Sequence, residues 1–298
     1  MPEILRTPDD RFANLPGFPF APHYVDDLPG YEGIRIHYLD EGPRTAKHVF
    51  LCLHGQPSWS YLYRKMIPVF VAAGDRVVAP DFIGFGRSDK PTEEATYTFT
   101  FHREMLLRFI EKLDLRNITL VCQDWGGLLG LTLPMEMPER FQRLLAMNTA
   151  LGTGDVPLGQ GFTEWRAWAA QNPDMDVAGL MGRACPKLSK EELAAYAAPF
   201  PDVRYKAGVR RFPPMVPDTP DAEGAELSRK AREWWRTQWN GQTFMAVGMQ
   251  DPVLGLPKML YLQKQIRNSP APLKLADAGH FVQESGEEVA RKALETFG

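Results

Sequence analysis

Three side chains that could act together in catalysis follow predicted strand ends, in the order Asp124, Asp251 and His280. Each of them alone is typical of a capped turn. In the order nucleophile, acid and histidine, the three are typical of hydrolases in which a histidine activates water and an acid orients the histidine. The sequence therefore predicts a catalytic triad with Asp124 as nucleophile, His280 as base and Asp251 as the acid that orients His280.

The residues around Asp124 predict a sharp turn from strand to helix. Small residues stand two positions before it and two and three positions after it, namely Cys122, Gly126 and Gly127. Such spacing lets the backbone turn tightly while the central side chain projects into a cavity. Asp124 is therefore expected to end the strand that begins with the apolar run 118–120.

An aspartate nucleophile indicates a particular chemistry. Aspartate side chains in general have a pKa of about 4, so such a nucleophile needs no base to attack a saturated carbon at neutral pH. The product would be an alkyl ester of Asp124. Water activated by His280 would hydrolyse this ester at the aspartate carbonyl, while the backbone N–H groups of Gln56 and Trp125 receive the developing oxyanion.

The leaving group is predicted to be a halide. A halide is large and weakly basic, so it needs hydrogen-bond donors in a dry pocket more than it needs a proton. The indole N–H of Trp125 is such a donor on an apolar ring, and it directly follows the nucleophile. A second donor would come from the segment after residue 155, where Trp165 and Trp168 are the candidates.

Composition excludes several other classes of function. The chain has 298 residues, 44% of them hydrophobic, and a formal charge of −3. Its basic residues are scattered, which argues against a nucleic-acid partner. No segment approaches the roughly 18 apolar residues of a membrane span, and the three cysteines lack metal-type spacing. We expect a soluble cytoplasmic protein without membrane attachment, metal or cofactor, with packing roles for its cysteines.

Alternating strand and helix patterns predict an α/β core interrupted by a helical insertion. The division is 1–154 and 228–298 for the core and 155–227 for the insertion, a cap over the carboxyl edge of the sheet. Residues 1–30 are expected to wrap the surface, and 31–40 to form a half-exposed edge strand. Other predicted strands are 48–53, 76–81, 118–124, 143–148, 243–248 and 273–276; helices are 61–73, 99–113, 226–239 and 284–297.

At several motifs the sequence closely resembles the haloalkane dehalogenases of the α/β-hydrolase family. These motifs are 54–57, 59–64, 84–91, 123–127 and 277–281. The resemblance covers nearly the whole chain and implies a mostly parallel eight-stranded sheet flanked by helices. It is most specific to the subgroup whose acid follows a late strand, as Asp251 does, and whose position after the earlier strand is an amide, as Asn148 is.

The same resemblance implies further site residues. The segment 161–165 is similar to the cap segment that carries the second halide-binding tryptophan, which favours Trp165 over Trp168. The substrate would be a small halogenated alkane, with halide as a product, and the protein is expected to be a monomer. The implied pocket residues are Leu128, Phe162, Phe212, Pro213, Val253 and Leu254.

Two other functions compete with this hypothesis. Epoxide hydrolases share the aspartate nucleophile but protonate an alkoxide leaving group, usually with two cap tyrosines, and Tyr196 and Tyr205 keep that possibility open. A non-catalytic binding protein on the same fold is the other alternative, because a fold alone does not prescribe an activity. An intact triad argues against the second, since a receptor has no need of it.

Overall fold

The computed structural model describes residues 3–298, and a central β-sheet organises them. The described chain has ten strands, and eight of them form this sheet. The other two, β1 and β6, pair with each other in a separate antiparallel ribbon. The strands are β1 (Ile4–Leu5), β2 (His23–Val25), β3 (Ile36–Glu41), β4 (Val49–Leu53), β5 (Arg76–Pro80), β6 (Lys90–Pro91), β7 (Ile118–Gln123), β8 (Phe141–Met147), β9 (Gln242–Gly248) and β10 (Leu273–Leu275).

The sheet is mostly parallel, as predicted. Its strand order is β10-β9-β8-β7-β4-β5-β3-β2, and only the pairs β2–β3 and β3–β5 are antiparallel. The central strands β4 and β7 are buried along their whole length, which explains their continuous apolar sequences. Because β7, β8, β9 and β10 run parallel, their carboxyl ends meet at one edge of the sheet.

Helices cover the sheet, and five of them lie between β8 and β9. This stretch contains no strand among the described residues. The division into a core and a cap stays a prediction. The predicted boundary after residue 227 falls inside α8. The helices are α1 (Ile67–Ala72), α2 (Phe99–Lys112), α3 (Trp125–Gly130), α4 (Gln160–Gln171), α5 (Val177–Ala184), α6 (Lys190–Ala197), α7 (Ala207–Met215), α8 (Ala225–Thr237), α9 (Leu256–Gln265) and α10 (Gly286–Phe297).

Two predictions about the N-terminal part were wrong. The strand expected at a half-exposed edge, β3, is buried between β5 and β2, and the edge is β2 from the segment predicted to wrap the surface. A strand of three residues is too short for a periodic pattern to reveal. The helix predicted over 61–73 is divided into a 3-10 turn, Ser60–Tyr63, and α1, with Pro68 in the first turn of α1, where its missing N–H is tolerated.

Two tryptophans, one in α8 and one just after it, pack in the core. Trp235 and Trp239 are buried, with ring centroids 4.7 Å apart. Their indole nitrogens donate to the Leu131 carbonyl at 2.7 Å and to the Thr243 hydroxyl at 3.0 Å. Among residues 3–298 no helix is long and apolar enough to cross a membrane.

Candidate active site

Asp124 lies at a strained turn between β7 and α3. Its backbone angles, φ 51° and ψ −125°, are rare for a residue with a side chain. The flanking glycines make the turn possible. A Cβ at Gly126 would lie 2.0 Å from the Leu53 carbonyl oxygen, and one at Gly127 would lie 1.9 Å from the hydroxyl of Thr149. Close packing against the sheet therefore explains the small residues after Asp124.

The loop after β4 approaches the Asp124 carboxylate with its backbone. The N–H of Gln56 donates to Asp124 Oδ1 at 2.8 Å. A Cβ at Gly55 would lie 2.4 Å from the same oxygen, so this approach requires glycine. Trp125 carries the first N–H of α3, which has no acceptor within the helix. The two N–H groups predicted to receive an oxyanion thus belong to residues beside the Asp124 carboxyl group.

His54 braces this loop from behind. Its Nε2 accepts from the Phe82 N–H at 2.9 Å, and its Nδ1 donates to the Gly55 carbonyl at 2.8 Å. The side chain is buried, and burial lowers the pKa of His54, which favours the neutral ring. This geometry gives His54 a structural role in the loop after β4.

His280 and Asp251 meet Asp124 at the carboxyl edge of the sheet. His280 Nδ1 lies 2.8 Å from Asp251 Oδ2, and His280 Nε2 lies 3.6 Å from Asp124 Oδ2. The first distance is that of a charge-assisted hydrogen bond, whereas the second is too long for one. The turns after β7, β9 and β10 thus bring together three side chains that are far apart in the sequence.

Asn148, at the end of β8, holds Asp251 in place. Its Nδ2 donates to Asp251 Oδ2 at 2.7 Å, and its Oδ1 accepts from the Gly248 N–H at 2.9 Å. The other carboxylate oxygen of Asp251 accepts from the Val253 N–H at 2.8 Å. Burial alone would raise the pKa of Asp251, but His280 and these donors lower it to about 2, so Asp251 is ionised at neutral pH.

Two carboxylates act on the protonation of His280. Burial alone would lower the pKa of its imidazole, but Asp251 and Asp124 raise it to about 10. In the free protein at neutral pH, a protonated ring then lies between two carboxylates. Removal of either negative charge would bring the pKa of His280 down.

Gln123, the last residue of β7, is a neighbour of His280 that the sequence did not reveal. Its Nε2 lies 2.9 Å from His280 Nε2 and 3.2 Å from the His280 carbonyl oxygen. An amide N–H can only donate, so this contact favours a neutral ring and opposes the two carboxylates. Gln123 Oε1 is buried without a partner among the described residues, and rotation of the amide would offer it to a protonated ring. The charges therefore decide the direction, and the pKa of His280 is raised.

Loss of the Asp124 charge is expected to lower the pKa of His280 from about 10, because one of the two carboxylates that stabilise the imidazolium disappears. Asp124→Asn makes this change with little change in shape. NMR titration of the His280 ring in the two proteins measures the shift. An unchanged pKa in the variant would show that Asp124 does not act on the histidine.

Asp124 and Trp125 line a cavity of about 90 Å³ between the sheet edge and the helical segment. This volume is far below the roughly 300–1,000 Å³ of sites for drug-sized ligands, so it favours small ligands. Four of the six predicted pocket residues line the cavity, namely Leu128, Phe162, Val253 and Leu254. Much of the remaining wall is the irregular segment 150–159. Its sequence has no periodic pattern from which a role in the cavity could be predicted.

The other two predicted pocket residues, Phe212 and Pro213, are not among those that line the cavity. Phe212 is fully buried in α7, with its ring centroid 4.7 Å from that of Trp125, and Pro213 is buried beside it. Trp165 is half-buried in α4, one helical turn after Phe162, and its ring stacks on Trp168 at 5.3 Å. Neither Trp165 nor Trp168 is among the residues that line the cavity.

Neither tyrosine that an epoxide hydrolase would use lines this cavity. The hydroxyl of Tyr196 is engaged by Glu284 and by Arg64 in a buried ionic cluster. Tyr205 is half-buried and packs against the core from the short turn Val203–Lys206. Tyr196 and Tyr205 are thus not placed to protonate a leaving group at Asp124, and the tyrosine that lines the cavity is Tyr261.

Comparisons with known proteins identify the family of the chain. Residues 48–287 match the family model described as alpha/beta hydrolase fold. The chain is 49% identical to a haloalkane dehalogenase of Psychrobacter cryohalolentis, over 97% of this chain and 96% of that protein. It is 41% identical to one of Mycobacterium marinum, over 98% and 99% of the two chains. A solved structure, the tetrameric haloalkane dehalogenase DpaA of Paraglaciecola agarilytica, superposes with a TM-score of 0.97 at 52% identity, covering 99% of both chains.

Proposed function

The chain belongs to the haloalkane dehalogenases of the α/β hydrolase fold family, hydrolases of carbon–halide bonds, and we propose that it acts through a covalent ester of Asp124. The observation that carries this proposal is the position of Asp124. Its carboxylate stands at a strained turn, borders a small cavity and is followed by an indole N–H donor. Small haloalkanes are the proposed substrates, and an alcohol, a halide and a proton are the products.

In the first step, an Asp124 oxygen attacks the carbon that carries the halogen. The carbon–halogen bond breaks, the halide leaves with the electron pair, and the carboxylate becomes an alkyl ester. The Gln56 N–H, 2.8 Å from Oδ1, holds one oxygen while the other attacks. No proton moves in this step, so a protonated His280 does not hinder it.

Ester formation prepares the second step by removing the negative charge of Asp124. The pKa of His280 then falls from about 10, and the ring can lose its proton to solvent. Neutral His280 takes a proton from a water molecule that attacks the ester carbonyl, and Asp251 stabilises the resulting imidazolium. The N–H groups of Gln56 and Trp125 receive the oxyanion. The bond between the carbonyl carbon and the alkoxide oxygen then breaks, the alkoxide takes the proton of the added hydroxyl group, and the alcohol leaves an ionised Asp124.

Trp125 and Trp165 are proposed to bind the leaving halide. The Trp125 ring borders the cavity and is held by the Phe212 ring. Phe162, on the same helix, lines the cavity, and Trp165 lies one helical turn after it. Of the two candidates on α4, Trp165 is therefore the one that lies closer to the face of the helix that carries Phe162. This role requires the Trp165 ring to turn away from Trp168 towards the cavity.

Trp165→Phe is expected to weaken bromide binding by about tenfold or more, because a hydrogen bond to a charged group is lost. Trp168→Phe, the matched control on the same helix, should change it less than about twofold, since phenylalanine retains the ring contact. Bromide inhibition of turnover gives both values. A larger effect at Trp168 would assign the second donor to that residue instead.

Halide release from short chloro-, bromo- and iodoalkanes, beside a styrene oxide assay, tests the function. Release of halide with little epoxide opening is expected. Epoxide opening without halide release would contradict the proposal. The monomeric state and the cytoplasmic location stay predictions, and because the Paraglaciecola dehalogenase is tetrameric, the oligomeric state is a measurement to include.

A further inference from the structure

The cavity beside Asp124 has a second end, farther from Asp124, that is lined by basic side chains. We call it the outer end. The cavity-lining side chains with formal charges are Asp124, Arg232 and Lys258. Both basic residues stand near Tyr261, which is 41% exposed, so this end meets solvent. Around Asp124, by contrast, the wall is largely apolar. The cavity thus joins an apolar reacting end to a basic, hydrated end.

Arg232 is already neutralised at this outer end. Its guanidinium binds the Asp155 carboxylate through two hydrogen bonds, of 3.0 and 2.6 Å. This paired geometry commits the charge of Arg232 to Asp155. Arg232 therefore adds shape and polarity to the outer end, but little net charge.

Lys258 has no such partner. No carboxylate of the described chain lies within 4.0 Å of its ammonium group, and its acceptor is the Pro157 carbonyl at 3.3 Å. An ammonium group has three donors, so at least two remain for a ligand or for water. The side chain is half-buried, with its Cε 3.6 Å from the position of a Cβ on Gly159. Lys258 thus reaches from α9 across the outer end to the segment 150–159.

We propose that Lys258 is a specificity-determining residue that binds a carboxylate at the far end of the substrate, so that ω-halocarboxylates are preferred over neutral haloalkanes of matched length. This inference rests on the proposed function, because it requires the halogen-bearing carbon to lie at Asp124. A carboxylate at the outer end keeps part of its hydration, so little desolvation opposes its attraction to the ammonium group. A free halide ion would be attracted to the ammonium group of Lys258 in the same way. The experiment must therefore distinguish binding of the substrate carboxylate from binding of a halide ion.

The test compares ω-bromocarboxylates of two to six carbons with the corresponding ω-bromoamides, which have the same shape but no charge. For the chain length that spans the cavity, kcat/KM is expected to favour the carboxylate about fivefold at low salt. The ratio should fall as salt is raised, because a partly exposed pair is screened. Lys258→Met should bring the ratio to about one, and Lys258→Arg should retain the preference.

Lys264→Met is the matched control, because Lys264 is exposed on the same helix and does not line the cavity. It should leave the ratio as in the unaltered protein. A carboxylate preference that is absent, or that survives in Lys258→Met, overturns the inference. A changed bromide inhibition in Lys258→Met, with an unchanged ratio, would assign Lys258 to the free halide and also overturn it. If 1-bromobutane is not hydrolysed either, the proposed function fails instead.

Discussion

His280→Gln is expected to release a single equivalent of bromide from a bromoalkane and then to stop. The first step needs only Asp124 and the halide donors, so the carbon–halogen bond still breaks. The second step needs a base 3.6 Å from Asp124, which glutamine does not provide. Turnover should therefore fall at least about 10³-fold while the alkyl-enzyme accumulates.

Rapid-quench measurement of bromide, with the mass of the intact protein, tests this expectation. The mass should rise by that of the alkyl group as the bromide burst ends. His23→Gln, a change on the edge strand β2, is the control and should turn over normally. A His280→Gln protein that releases no bromide and gains no mass would contradict the two-step scheme.

Asp124→Asn is expected to abolish halide release, with a loss of about 10⁴-fold or more in turnover. A neutral amide is a far weaker nucleophile than a carboxylate. The fold should be retained, because an asparagine oxygen can still accept the hydrogen bond that the Gln56 N–H makes at 2.8 Å.

Halide release and thermal unfolding of the variant separate loss of chemistry from loss of structure. Peptide mass must show that residue 124 is still asparagine, because a trace of restored aspartate would give residual activity. Turnover within about tenfold of the unaltered protein would mean that another group breaks the carbon–halogen bond.

Much of the site could be predicted because its signals are local. The buried strands β4 and β7 are continuous apolar runs, and the glycines after Asp124 are required by contacts as short as 1.9 Å. Polar residues after such strands must meet at one edge of a parallel sheet. The contact of His280 with Asp251 follows from this rule.

Other features depend on contacts that no local pattern encodes. The approach of Gln123 to His280 depends on which way one amide points at the end of β7. The orientation of Trp165 depends on its stacking against Trp168, three residues away on the same helix. The unpaired charge of Lys258 depends on how the segment 150–159 folds over α9. Each of these features depends on how side chains pack in the folded protein, which the order of residues along the chain does not show.

A single-turnover reaction in H₂¹⁸O, with the unaltered enzyme in excess over a bromoalkane, tests the covalent ester most directly. The proposed route takes the alcohol oxygen from Asp124 and returns a water oxygen to the carboxylate. It therefore predicts an alcohol without ¹⁸O and a peptide containing Asp124 that carries ¹⁸O. Alcohol labelled with ¹⁸O, together with an unlabelled Asp124 peptide, would show that water attacks the substrate directly and would contradict the covalent route.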